Sequence, residues 1–359
     1  MPTDKTRVGV IGVGRMGQRH CRVYSGLGGV EFVGVSDLSS QRGEAIAGEY
    51  HVGFYSDCRD LLEQVDAVSV ATPTDSHYSM VKECLSRGVH VLVEKPVAGD
   101  PAEARGLLNL ANEAHVSFQV GHIERFNPVF LELQAILDGV PVVAVNVRRL
   151  SPFDTSNTDV DVVLDLMIHD IDLSLTLLGS EIDCVQAYGR CARTDCADYA
   201  VANICFAGGP IATLTSSRVT EQKVRLVEIT ALGAYIEADL LNKSISIYRH
   251  LSPEYLSNHQ KPLRYRQESL VERIHIPTAE PLQLELQHFV RCVRDGRRPD
   301  VSGEDGLRAL EMATMIREQI HAKGSNDNTR LSLDREAESV LVGLALSGHS
   351  SRVPSTNVA

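Results

Sequence analysis

The sequence has no surplus of positive charge. Its 35 lysines and arginines stand against 47 aspartates and glutamates, a formal charge of −12 with a pI near 5.5. A chain of that sign has no general attraction for phosphate backbones or acidic lipids, which argues against nucleic acid and membrane surfaces as partners. Any anionic ligand must then be held by local groups. No apolar run approaches the length of a membrane span. Residues 1–6 lead into a short glycine-rich segment ending at Arg15, which does not make a signal peptide. A cytoplasmic protein is expected. The eight cysteines (Cys21, Cys58, Cys84, Cys184, Cys191, Cys196, Cys205 and Cys292) are scattered, and neither Cys-x-x-Cys nor His-Glu-x-x-His occurs. No disulfide framework and no metal site is indicated, and reduced, mostly buried thiols are expected.

What is present is ordinary globular material, 43% hydrophobic over 359 residues, enough for two domains of common size. Residues 7–11 form a short apolar strand, followed by Gly12-Val13-Gly14-Arg15-Met16-Gly17 and a helical segment to residue 26. Glycines at these positions permit a tight turn, close backbone approach to a pyrophosphate, and close packing of helix on strand, with the phosphates at the positive helix N-terminus. A second strand at 31–36 ends in Asp37, twenty residues after Gly17. A carboxylate there accepts hydrogen bonds from a ribose 2′-hydroxyl and repels a 2′-phosphate, which favours NAD over NADP. The alternation continues with a strand at 53–55, a helix around Leu61 and Leu62, a strand at 67–71 and a helix at 78–87. A strand at 90–93, a helix capped by Asp100-Pro101-Ala102-Glu103 and a strand at 116–120 follow. This is the pattern of a doubly wound parallel sheet.

Ligands of such sheets sit beyond the carboxyl ends of the strands. Glu94-Lys95-Pro96 stands at one such end, after the apolar run Val91-Leu92-Val93, and places a cation where a ligand is expected. Taken alone, a lysine after a strand reads as a surface residue. At the preceding strand end, Pro73 leaves backbone groups free beside Thr72. His77 reads equally as a helix cap, a surface residue or a cofactor contact. The strand at 116–120 delivers Gly121-His122-Ile123-Glu124-Arg125-Phe126-Asn127-Pro128, a polar string with two basic groups, ahead of a helix at 129–137.

From Pro141 the pattern changes to longer strands with period-two alternation, such as Val143, Val145, Val147 and Ala200, Ala202, Ile204, Phe206. Turns fall at Gly208-Gly209, Leu232-Gly233 and Asn242-Lys243. A mostly antiparallel sheet is expected, with a broad open face available to a partner subunit. Residues 162–178 read as a helix with two apolar stripes: Leu164, Ile168, Ile171, Leu175 and Leu178 on one, and Leu166, Leu173 and Leu177 on the other. Asp165, His169, Asp172 and Thr176 fall in the seam between them. A helix apolar on two sides is largely buried, so this seam lines a site or finds partners within the fold. Asp165 and His169, one turn of about 5.4 Å apart, make either an oriented carboxylate–imidazole pair or a structural one. Asp170, on another side, reads as a solvated or helix-packing residue.

Toward the end, a polar stretch at 252–273 carries no assigned role. A helix runs from Pro281 to near Asp295-Gly296, and Ser302-Gly303-Glu304-Asp305 makes a capping box for a helix through Ile320. The expected organisation is a nucleotide-binding domain at 1–123, an α+β domain at 124–323 whose closing helices pack back on the first, and a partly disordered extension at 324–359 with a short helix at 334–346.

Gly12-x-Gly14-x-x-Gly17, Ala71-Thr72-Pro73 with His77, and Glu94-Lys95-Pro96 together resemble the glucose-fructose oxidoreductase/inositol dehydrogenase/rhizopine catabolism (Gfo/Idh/MocA) family of NAD(P)-dependent oxidoreductases. The string from Gly121 to Pro128 resembles the branch that oxidises the 3-hydroxyl of UDP-N-acetylglucosamine, and Pro299 to Leu307 resembles the family's closing segment. The likeness runs roughly from Arg7 to Lys323. It implies an N-terminal Rossmann sheet followed by an α+β domain with a large open sheet. It also implies NAD contacts at Gly12, Gly14, Arg15, Met16, Gly17, Asp37, Thr72, Pro73, His77, Glu94, Lys95 and His122.

Members carry Asp-x-x-x-His facing the Glu-Lys-Pro lysine, so the resemblance makes His169 the base, Lys95 the group that stabilises the alkoxide or shares the proton, and Asp165 the orienting residue. Lys95, Asp165 and His169 would then contact the sugar, and Arg125, Asn127 and Arg149 would serve a UDP-sugar. Read from the residues alone, Arg148 and Arg149 lie on a solvated strand face. The resemblance further implies a homodimer or homotetramer and a place in amino-sugar or lipid A precursor synthesis. An aminotransferase acting on the 3-keto product would be the pathway partner. Two alternatives stand beside this: a dehydrogenase of a free polyol or sugar, and a non-catalytic NAD-binding regulator. The regulator accounts for the glycine loop and Asp37 but not for Lys95 with the Asp165/His169 seam.

Overall fold

The computed structural model describes residues 5–155, 160–179, 181–250 and 269–324. The helix expected at 334–346, the extension from 325 and most of the polar stretch at 252–273 lie outside these. Six short runs form the first sheet: β1 (Thr6–Ile11), β2 (Val30–Ser36), β3 (Gly53–Tyr55), β4 (Ala67–Val70), β5 (His90–Glu94) and β6 (Phe118–Gly121). Their order is β3-β2-β1-β4-β5-β6, and every pairing is parallel. Strands covered on both faces need apolar side chains on both, which is why β4 and β5 read as continuous apolar runs. The order reverses between β1 and β4, the switch point at whose carboxyl ends sheets of this kind bind ligands. Helices α1 (Arg15–Gly26), α2 (Ser40–Tyr50), α3 (Cys58–Leu62), α4 (His77–Ser86) and α5 (Pro101–Ala114) connect the strands. The cap read at the start of α5 is present, with Asp100 Oδ1 accepting from the N–H groups of Ala102 and Glu103.

The second sheet holds β7 (Val142–Leu150), β8 (Ile182–Arg190), β9 (Tyr199–Phe206), β10 (Ile211–Ser217), β11 (Val224–Ala231), β12 (Ala234–Asp239), β13 (Ser244–His250) and β14 (Ser269–Ile274). Their order is β14-β13-β12-β11-β7-β10-β9-β8; β7 and β10 pair in parallel and the other pairs are antiparallel. Alternation turns Val145, Val147, Ala200, Ala202, Ile204 and Phe206 into a core shared with α6 (Pro128–Leu137) and α7 (Ile168–Leu178). The other face is open and exposes Val143, Tyr188, Tyr199 and Ile211. The cysteines depart from expectation. Cys21, Cys84 and Cys292 are buried, but Cys184, on the edge strand β8, is exposed and the other four are intermediate.

Two closing helices join the sheets. The first, α8 (Pro281–Asp295), ends at Gly296 with φ 62° and sends Leu282, Leu286, Phe289 and Val290 into the core beneath β1 and α1. The second, α9 (Gly303–Gly324), opens with the expected capping box, Asp305 Oδ2 accepting from the Ser302 N–H and Ser302 Oγ from the Asp305 N–H. Its Leu310 enters the first sheet's core, while Ala309, Met312, Ala313 and Ile316 enter the second. The helix read at 162–178 is the main local surprise. Val163–Met167 is a π-turn, and the regular α7 begins only at Ile168. Among the described residues no helix is long and apolar enough to cross a membrane.

Candidate active site

The turn after β1 is shaped by contact. A Cβ on Gly17 would lie 1.8 Å from the Gly12 carbonyl oxygen, and one on Gly12, at φ 84°, would strike Thr72 and the Ala71 backbone. Over Gly14 nothing lies within 4 Å. Gly12 and Gly17 thus serve packing, and Gly14 leaves open space at the N-terminus of α1, a cradle that fits a dinucleotide's pyrophosphate. Arg15 is exposed at its rim, 3.7 Å from Asp154, and Met16 is half-buried beside it.

Asp37 stands at the end of β2, as expected, yet its carboxylate is already engaged. Oδ2 accepts from the Val13 N–H at 2.8 Å, and Oδ1 from the Ser39 N–H at 2.8 Å and from Arg42 at 2.7 Å. Burial pushes this carboxyl up, but those donors outweigh it and hold the pKa below the usual range. Arg42 must therefore share Asp37 with any ribose. The adjoining Leu38 is fully exposed, an apolar surface beside the site that fits a stacking base.

The ends of β4 and β5 are tied together from behind. His77, which the sequence left as cap, surface or contact, is 1% exposed, with Nδ1 2.7 Å from the Pro96 carbonyl oxygen and Nε2 2.9 Å from that of Thr72. Burial pushes its pKa down. The Thr72 hydroxyl accepts from Ser76, and Pro73 precedes the short turn that starts α4. Glu94, at the end of β5, turns its carboxylate inward to His20 Nε2 at 2.9 Å.

Lys95 lies just past β5, its side chain one-fifth exposed. Its Nζ donates to the Asp165 carbonyl oxygen at 2.7 Å and stands 3.6 Å from the Asp165 carboxylate. The π-turn makes this contact, because its wider winding aims a backbone carbonyl at a side chain, as such bulges do at functional sites. Asp165 is therefore a partner of the lysine, and the regular i, i+4 spacing to His169 read from the sequence is interrupted. His169 keeps a buried Nδ1 with no hydrogen-bond partner. Burial first, and then the charges of Lys95, Arg149, His122 and Arg225, hold its pKa well below the usual imidazole value. Both effects favour the neutral imidazole, the form that a general base requires. Burial also lowers the Lys95 pKa, opposed by Asp165 and Glu94. The ring of His122, 1% exposed, stands edge-on to His169 with centroids 6.3 Å apart.

The three side chains expected to serve a UDP-sugar have partners within the fold. Asn127 caps α6 by accepting from the Val129 N–H, and its amide donates to Glu124 and to the Leu240 carbonyl. Arg125 is bound to Asp172, Thr176 and the Asp300 carbonyl. Arg149 is not on a solvated face: it is 3% exposed and pairs with Asp170 at 2.7 Å and Glu124 at 2.8 Å. Burial works to lower its pKa, and the two carboxylates raise it. Asp170, expected as solvated or packing, is fully buried, and burial pushes it up to about 6 despite Arg149. Arg148 does remain on the outer face, 43% exposed near Glu228.

A signal for Arg149 was present, since it shares the parity of Val145 and Val147 that faces the core, whereas Arg148 has the opposite parity. Glu124 and Arg225 were missed as site residues. Arg225, which donates to Leu150, Val224 and Ser151, is lowered to about 10 by burial and by Arg149. Nothing local marked it.

Two family descriptions match the chain: an oxidoreductase family with an NAD-binding Rossmann fold over residues 6–122, and the Gfo/Idh/MocA C-terminal domain over residues 146–234. The chain belongs to the Gfo/Idh/MocA oxidoreductase family. NAD is accordingly the cofactor, and the regulator alternative gives way to an enzyme. Among similar members, UDP-N-acetylglucosamine 3-dehydrogenase of Acidithiobacillus ferrooxidans is 33% identical over 88% of this chain and 97% of that protein. A solved structure of the same enzyme superposes with a TM-score of 0.81 at 32% identity, covering 89% of this chain and 98% of that one. The scyllo-inositol 2-dehydrogenase (NAD(+)) of Bacillus subtilis is 28% identical over 86% and 92%.

Proposed function

We propose that this oxidoreductase oxidises a secondary hydroxyl of a sugar nucleotide, the 3-hydroxyl of UDP-N-acetylglucosamine, to a ketone. The observation that carries the chemistry is Lys95 fixed at the end of β5 by Asp165, with a neutral His169 within its field. Removing a proton from a sugar hydroxyl at neutral pH needs a base and a cation for the developing alkoxide, and His169 and Lys95 supply them. Asp165 positions the lysine. When bound in the glycine cradle, NAD supplies the hydride acceptor.

The choice of sugar rests on likeness to the A. ferrooxidans enzyme over nearly its whole length. Likeness to an inositol dehydrogenase supports the second reading, a free polyol. The 3-keto product is suited to an aminotransferase. The open, partly apolar face of the second sheet is the surface available for a second copy of the chain. The test is NADH fluorescence on adding UDP-N-acetylglucosamine, inositol or glucose to enzyme and NAD. A signal with the nucleotide sugar is expected; a signal with inositol or glucose alone moves the assignment to the polyol class.

A further inference from the structure

The oxidation proposed above releases a proton as well as a hydride, and the proton needs a way out once substrate and cofactor close the cleft. A line of buried polar groups leads away from His169. Its Nδ1 is sealed and unpartnered, and the ring of His122 stands edge-on to it, centroids 6.3 Å apart at 88°. That separation leaves the nitrogens beyond the ~3 Å of a direct hydrogen bond, so a proton passing between the rings needs a bridging water. Both nitrogens of His122 are also buried without a partner, a condition that buried polar groups meet by holding water.

Asp172 comes next. It is 2% exposed, lends Oδ1 to Arg125 at 3.3 Å, and keeps Oδ2 buried and unpartnered. With Arg125, Thr176, Asp305 and Arg308 it also lines an open cavity of about 240 Å³. We infer that His122 and Asp172 are a proton exit, carrying the hydroxyl proton from His169 through a bridging water to this cavity on the side of α7 and α9.

The step balances. The substrate O–H bond breaks and its proton joins the neutral His169 ring. The C–H bonding pair leaves as hydride to the oxidised cofactor, and the C=O bond forms. His169 then gives up the proton on Nδ1 to the bridging water. His122 accepts a proton on one nitrogen and releases one from the other, and Asp172 passes it to water in the cavity. The charges around His122 suit a carrier. Burial and the cations of Lys95 and Arg125 oppose its protonation, while Asp172 and Asp305 favour it, and His169 stands against its ring.

The inference rests on the function proposed above, so its test uses no sugar. In NAD-saturated protein labelled with 15N-histidine, NMR measures exchange of a proton on the sealed His169 Nδ1 with solvent in wild type, His122→Phe and Asp172→Asn. The first variant fills the ring's volume without nitrogens; the second keeps an oxygen for Arg125 and serves should the first fail to fold. Exchange slowed about tenfold or more in the folded variants supports the exit. Exchange as fast as wild type overturns it, even if the protein oxidises UDP-N-acetylglucosamine. Slowed exchange in a protein that oxidises none of the sugars keeps the exit and removes the substrate reading.

Discussion

Replacing Arg149 with methionine separates two roles for this cation, ligand of a substrate phosphate or strut between two carboxylates. In the structure the guanidinium contacts Asp170 at 2.7 Å and Glu124 at 2.8 Å, and Asp170 is fully buried. Removing one partner of a buried, hydrogen-bonded pair leaves an uncompensated charge and costs about 3–5 kcal/mol. Asp170 already sits at about 6 with Arg149 beside it, so without the cation its folded pKa rises further. The folded protein then holds a proton that the unfolded chain, with an aspartate near 3.9, has released, and stability falls as pH rises through that window. Arg149→Met should therefore shift the urea midpoint downward, more at pH 8 than at pH 5. Arg149→Met/Glu124→Gln/Asp170→Asn, with all three charges gone, should regain much of the loss and flatten the pH dependence. An unchanged midpoint in the single variant, joined to a raised KM for the nucleotide sugar, would refute the strut.

Lys95→Met and His169→Phe should each lose about 10²–10⁴-fold in turnover while still binding NAD; turnover near wild type in either variant removes that residue from the proton chemistry. Because His169 is held well below the usual imidazole pKa, kcat/KM should stay level down through pH 6.5 and fall only at lower pH, and an acid limb centred at or above 6.5 contradicts the burial argument. Asp37→Ser frees Arg42 for a 2′-phosphate and should move the NADP-to-NAD preference by about tenfold or more, worth ~1.4 kcal/mol. A preference that stays put means that Arg42 is not the competing group.

Much of the site was legible because its signals are local. The glycine spacing, the acid at the end of β2, the lysine at the end of β5 and the polar seam of one helix each follow from backbone geometry within a few residues. The roles of the longer polar groups were not legible in the same way. Arg125, Asn127 and Arg149 looked like free donors in a polar string. They are partnered by Asp172, Leu240 and Asp170, residues 21 to 113 positions away in the chain. Asp165 was placed with His169 by helical period, and a π-turn, which periodicity does not announce, gives its carbonyl to Lys95.

The sequence by itself determined the family, the nucleotide-binding sheet and the mostly antiparallel sheet after it, since alternation, turn chemistry and short motifs set these locally. Only the tertiary structure decided which charges find partners within the protein. A buried charge is stable only beside a partner, and partners brought together by packing carry no mark in the local sequence.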